Sequence, residues 1–156
     1  MCLDWIKSKI CPKWNKYSQI PPPQGLEPID WSEILTMLRA EYPYCAIYLA
    51  DNNYKTCSVE ELQRFLRDDI IDSWKYQSEF LDFDDYSFAS LGRISNPDWG
   101  ALPYGFMWVI IEDTDRVVGH AVNVFIDKNR NILIIEPQND QISTLDPTWK
   151  PYLLVM

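Results

Sequence analysis

The chain of 156 residues holds one histidine, His120, in the run Gly119-His120-Ala121-Val122-Asn123. A carboxylate, Glu136, follows in Glu136-Pro137-Gln138. Between them lie two β-branched and aromatic runs, Val124-Phe125-Ile126 and Ile132-Leu133-Ile134-Ile135, split by the polar segment Asp127-Lys128-Asn129-Arg130-Asn131. That pattern predicts a β-hairpin. If Asp127 to Asn129 form the loop, Val122 pairs with Ile134 and His120 lies directly opposite Glu136, with Cβ atoms about 5 Å apart. A carboxylate on one ring nitrogen fixes the imidazole tautomer and makes the other nitrogen more basic, which is the arrangement of a general base. The same pair is also an ordinary cross-strand contact worth roughly 0.2–1 kcal/mol. A one-residue slip in register would separate the two groups onto opposite faces.

Two other sets of residues carry chemistry. Asp82, Asp84 and Asp85 crowd the start of a helical pattern that ends at Gly92. Acidic residues there cap a helix and suit its macrodipole. Clustered carboxylates are also hard oxygen ligands for a divalent cation such as Ca²⁺ or Mn²⁺, although the spacing is not that of an EF-hand. The cysteines are Cys2, Cys11, Cys45 and Cys57, with no Cys-x-x-Cys pair. One histidine and these cysteines do not make a usual zinc site. With no secretory leader read in the opening residues, free thiols in a reducing cytosol are expected, with a disulfide pair as the alternative if the protein is released. Cys57 precedes a helix start, a position that can lower a thiol pKa.

The elements that must position these groups follow from patterning. Leu3, Ile6, Ile10 and Trp14 have helical spacing, with lysines between them. Pro21 to Pro23 favour an extended polyproline segment. Asp30 with Glu33, and Ser58 with Glu61, are capping boxes that open helices burying Ile34, Leu35 and Leu38, and Leu62, Phe65 and Leu66. A helical pattern resumes through Ile70, Ile71 and Trp74. Strands are expected over 44–49, 104–112, 117–126, 132–136 and 152–155, with turns at Asp51-Asn52-Asn53, Ser95-Asn96-Pro97 and Asp113-Thr114-Asp115. Helices first and strands later predict an α+β fold, the N-terminal helices packed on a C-terminal antiparallel sheet. Residues 1–28 read as a basic amphipathic arm with a Pro-rich linker, and residues 29–156 as the folded domain.

Composition narrows the function. Hydrophobic residues make up 47% of the chain and aromatic ones 14%, enough for a real core. The net charge of −9 argues against a nucleic-acid partner. Residues 1–16 carry a net +3 and the remainder −12, so the arm either folds back on an acidic body or reaches a membrane or a virion. No apolar run approaches the ~20 residues of a membrane span, and the opening residues lack a secretory core, so a cytoplasmic or virion-associated protein is expected.

Taken together, Asp82-Phe83-Asp84-Asp85-Tyr86, Gly119-His120-Ala121-Val122-Asn123 and Glu136-Pro137-Gln138 resemble the papain-like domain at the C-terminus of the fairy-ring mushroom agglutinin and its small phage and bacterial relatives. The resemblance covers about residues 44–140. It implies a papain-like fold, with His120 as base and Glu136 as the acid that orients it, in motifs that also contain Asn123 and Gln138. It further implies a divalent cation held at Asp84 and Asp85. Phe83 stands where that family carries its nucleophilic cysteine. Phenylalanine has no nucleophilic atom and cannot form an acyl-enzyme. The expected function is thus a catalytically degenerate papain-like domain, a binding or structural protein for a protein or peptide partner, with a phage association. Two active alternatives remain at this stage: Cys57 or Cys45 brought to His120 as a relocated thiol, or a metal-bound water at Asp84, Asp85, His120 and Glu136.

Overall fold

The computed structural model describes residues 20–113 and 116–156. Residues 1–19, with the helix expected over 3–14, lie outside the described residues. Chain order within them is β1 (Glu27–Asp30), α1 (Trp31–Glu41), β2 (Ala46–Tyr48), β3 (Asn53–Thr56), α2 (Val59–Asp68), α3 (Phe83–Ile94), β4 (Tyr104–Asp113), β5 (Arg116–Ile126), β6 (Ile132–Glu136), β7 (Gln141–Ser143) and β8 (Trp149–Val155).

The helices start where their caps dictate. The Asp30 carboxylate accepts the Ser32 N–H at 2.8 Å, and the Ser58 hydroxyl accepts the Glu61 N–H at 3.4 Å. Such caps satisfy backbone donors that a first helical turn leaves unpaired. α1 buries Ile34 and Leu38 and stops before Pro43; α2 buries Leu62, Phe65 and Leu66. The helical pattern expected through Ile70, Ile71 and Trp74 is realised only as the 3-10 turn Ile71–Ser73. There the Asp69 carboxylate takes the Ile71 N–H at 2.6 Å, so a side chain replaces the continuing helical bond. α3 runs past Gly92 to Ile94, because Gly92 sits in the helix without needing a left-handed backbone.

Six strands form one sheet in the order β2-β8-β4-β5-β6-β7, and β1 and β3 form a separate antiparallel pair. The fold is mixed α+β, but the sheet is neither wholly C-terminal nor wholly antiparallel. β2, from the first third of the chain, pairs in parallel with β8. β1 and β3 were hidden in what reads as Pro-rich linker and Asn-rich turn. The linker is held to the body: Ile20 is buried, and the Arg64 guanidinium donates to the carbonyls of Pro21 and Pro22 at 3.0 and 3.2 Å. Two apolar clusters flank the sheet. Ile29, Ile34, Leu38 and Tyr54 pack with Met107, Val109, Val122 and Val124. Leu62, Phe65, Ile94 and Trp99 pack with Tyr104, Phe125 and Ile135. The helices therefore serve both faces of the sheet, not one.

The hairpin exists, with a different register. Ile126 pairs with Ile132 and Val124 with Ile134, so residues 127–131, not 127–129, make the loop. By the same count Val122, not His120, comes level with Glu136. The cause is Asp127, which is almost fully buried. Its carboxylate accepts the N–H groups of Asn129 and Asn131 at 2.9 and 2.8 Å and the Asn131 amide at 3.0 Å. Arg130 takes the left-handed conformation that the wider loop requires, with φ 67°. An offset of two residues preserves side-chain parity, so His120 and Glu136 still share a face, now diagonally. Asp127→Ala leaves these donors without their acceptor and is expected to lower stability by about 2 kcal/mol, read as a shift of the urea midpoint at constant m-value.

Candidate functional site

The site lies where the N-terminus of α3 meets β5 and β6. The Asp82 N–H donates to the Asp85 carboxylate at 3.1 Å, the returning half of a capping box that fixes the first turn. The Tyr86 hydroxyl donates to the Trp74 carbonyl at 2.8 Å, which anchors the helix to the segment before it. Asn123, fully buried in β5, donates its side-chain amide to the Ser87 carbonyl at 3.0 Å and to the Gly105 carbonyl at 3.1 Å. One side chain thus joins α3, β4 and β5.

This bracing sets Phe83 against His120. Phe83 is the first residue of α3, and its ring meets the imidazole edge-on, with centroids 4.4 Å apart and planes at 78°. On another side the Trp149 ring meets the imidazole at 5.1 Å and 77°. The His120 Nε2 lies 2.8 Å from the Glu136 Oε2. A carboxylate only accepts, so Nε2 carries the hydrogen and Nδ1 is the nitrogen left for proton transfer. Glu136 is itself braced by the Gln138 N–H at 3.4 Å. The imidazole is 7% exposed, enclosed by two aromatic rings and a carboxylate. The geometry is that of an oriented base, but the group packed on it is a hydrocarbon ring.

Of the residues the sequence singled out, the fold brings Phe83, His120 and Glu136 into contact and sets the Gln138 N–H on Glu136, while Asn123, three residues along β5 and so on its other face, braces α3 and β4 instead. Two participants were not visible in the sequence. Trp149 comes from β8, paired opposite Ile111 in β4. Tyr76 packs on the outer side of Phe83 with centroids 5.5 Å apart. Neither belongs to a local motif, and only strand pairing and loop placement bring them in.

The three aspartates converge, with one ligand atom from each of Asp82, Asp84 and Asp85 within 4.8 Å of the others. Asp84 is pushed up to about 6, chiefly by sharing a hydrogen bond with the Asp82 carboxylate and further by burial and the neighbouring charges. His120 and Glu136 are not members of this convergent set, contrary to the arrangement a metal-bound water would need. The thiols fare no better. Burial pushes Cys57 up to about 12 and Cys45 up to about 11. Cys57 sits fully enclosed among Leu62, Phe65 and Trp99, not at His120. Its place before the Ser58 cap does not make it reactive, because desolvation of the thiolate outweighs the helix N-terminus.

No family model and no curated protein sequence matches the chain. Solved structures do. The fold is similar to PSL1a in the PSL1a–E64 complex, with a TM-score of 0.71 and 22% identity over 83% of this chain and 51% of that one. It is also similar to Polyporus squamosus lectin bound to the human-type influenza-binding epitope Neu5Acα2-6Galβ1-4GlcNAc, with a TM-score of 0.68 and 20% identity over 83% of this chain and 49% of that one. At these identities the likeness is one of fold, and the chain spans about half the length of both neighbours. No described helix is long and apolar enough to cross a membrane.

Two measurements test the site's electrostatics. Cys45 and Cys57 are expected to react with iodoacetamide in native protein far more slowly than free cysteine and to reach it on unfolding. Asp84, raised in the folded state from 3.8 to about 6, contributes stability that is complete below pH ~4 and lost as pH rises through about 6. Asp84→Asn should therefore flatten the fall in Tm between pH 4 and 6.5. The flattening is partial, because Asp140 is also pushed up to about 6, by burial and then by Asp72 and Asp69.

Proposed function

We propose that this chain is a papain-like domain that no longer performs covalent catalysis and acts as a peptide- or protein-binding module. The observation that carries the reading is the Phe83 ring at the head of α3, packed 4.4 Å from the His120 imidazole whose far nitrogen holds Glu136. A papain-like mechanism needs a thiolate at that place, next to a base and at the positive end of a helix. Here the base and its orienting acid are kept and the reacting atom is missing. The fold shared with PSL1a, which was captured with E64, supports the papain-like assignment.

The same reading places a divalent cation, Ca²⁺ or Mn²⁺, at Asp82, Asp84 and Asp85. Three hard oxygen donors in reach of one another fit such an ion, and the proton that Asp84 retains beside Asp82 would compete with it. A bound cation would neutralise the acidic first turn of α3 and hold Phe83 against His120. Addition of Ca²⁺ or Mn²⁺ is expected to raise Tm at pH 7.5, less so at pH 5 where the proton competes, and not at all in Asp84→Asn.

The decisive experiment is Phe83→Cys. The new thiol is expected to react with iodoacetamide about tenfold faster than free cysteine at pH 6.5, and to lose that advantage when His120→Ala is added. Mass spectrometry should find the E64 adduct on the same residue. A thiol no more reactive than free cysteine overturns the reading. So does peptide hydrolysis by the unaltered protein that His120→Ala abolishes.

A further inference from the structure

A cavity of about 390 Å³ opens beside Glu136 and is not used by the His120–Phe83 contact. Val122, Ile134 and Leu145 give it apolar lining, Trp149 an aromatic wall, and Glu136 and Asp146 two carboxylates. β7 supplies Gln141 and Ser143 to its lining. β7 is the last strand of the six-stranded sheet, so its outer edge has no partner strand among the described residues.

Both carboxylates keep acceptor capacity toward this space. The Asp146 Oδ1 is occupied by the Thr148 N–H and hydroxyl at 2.8 and 2.6 Å, which leaves Oδ2. The Thr148 hydroxyl, and then its N–H, holds the Asp146 carboxyl below its usual value, so it is charged at neutral pH. The Glu136 Oε2 binds His120, while among the described residues Oε1 has only the long contact to the Gln138 N–H. Among the described residues, no lysine or arginine lines the cavity. The chain as a whole carries −9. A volume of this size accepts a long side chain with part of its neighbour.

These features select a partner. An unpaired strand edge offers backbone donors and acceptors to an extended segment, and the adjoining pocket reads alternate side chains. Two carboxylates and an aromatic wall suit a Lys or Arg head, and the apolar lining suits its aliphatic stem. An acidic glycan would meet like charge in the same pocket.

We propose that the cavity and the free edge of β7 bind an extended basic peptide, with one Lys or Arg side chain seated between Glu136, Asp146 and Trp149. The proposal rests on the reading of this domain as a non-covalent binder and adds the chemistry of its partner. Because Glu136 and Trp149 both touch His120, the single imidazole resonance of the chain reports occupancy without any label.

The test titrates the full chain with an alternating Val-Lys peptide and its Val-Glu counterpart, following the His120 Cε1–H signal by NMR. The lysine peptide is expected to shift that signal and to bind more weakly as salt rises. Asp146→Asn, on an exposed turn, should weaken binding about tenfold. N-methylation of alternate peptide nitrogens, which removes strand-addition donors, should abolish it. The proposal is overturned if the glutamate peptide binds equally, if Asp146→Asn changes nothing, or if a sialylated trisaccharide moves the His120 signal and the lysine peptide does not. Failure here with a reactive Phe83→Cys thiol removes only the basic-peptide site. Success here with an unreactive thiol removes the papain-like reading and leaves the edge-strand site standing.

Discussion

A buried amide holds the architecture of the site in place. Asn123 has no contact with solvent, and both of its side-chain hydrogen bonds run to backbone carbonyls of other elements, one in α3 and one in β4. Burying such a group without partners costs on the order of several kcal/mol, so the helix and the sheet are fixed relative to one another by the need to satisfy it. The position of Phe83 follows, because it lies one helical turn before the residue whose carbonyl Asn123 holds. The Tyr86–Trp74 bond and the Asp85 half of the capping box then limit rotation of the same turn. The contact between the Phe83 and His120 rings is thus imposed by bonds made elsewhere.

The capped helices were legible because their signals are local. Asp30 and Ser58 each announce a start within three residues, and α1 and α2 begin there; for α3 the pattern left Asp82 and Asp84 as alternatives, and the helix begins after Asp82. The hairpin was legible too, and its register was not. Which residues close the loop depends on how one buried side chain, Asp127, distributes its acceptors over Asn129 and Asn131, and no propensity encodes that choice. His120 and Glu136 still met, since the period of a strand is two and the error was also two. Strands β1, β3 and β7 escaped because each has only three or four residues, and their partners are supplied by distant parts of the chain.

The electrostatics follow one theme. The protein is acidic, and two of its carboxylates are placed where protons are retained: Asp84 through its contact with Asp82, Asp140 through burial near Asp72 and Asp69. Its buried thiols are held as thiols by the same desolvation. Among the described residues, the group packed on His120 at the head of α3 is the Phe83 ring, which carries no nucleophilic atom.

Trp149 has a double position, one edge toward the imidazole and the other surface lining the cavity beside Glu136. A residue shared in this way is a route by which the two regions would be coupled. Whatever filling the cavity does to the proton affinity of His120, a change in protonation must do in equal measure to the affinity of the cavity for its occupant. Through Trp149, the state of the imidazole and the occupancy of the cavity would then form one coupled equilibrium.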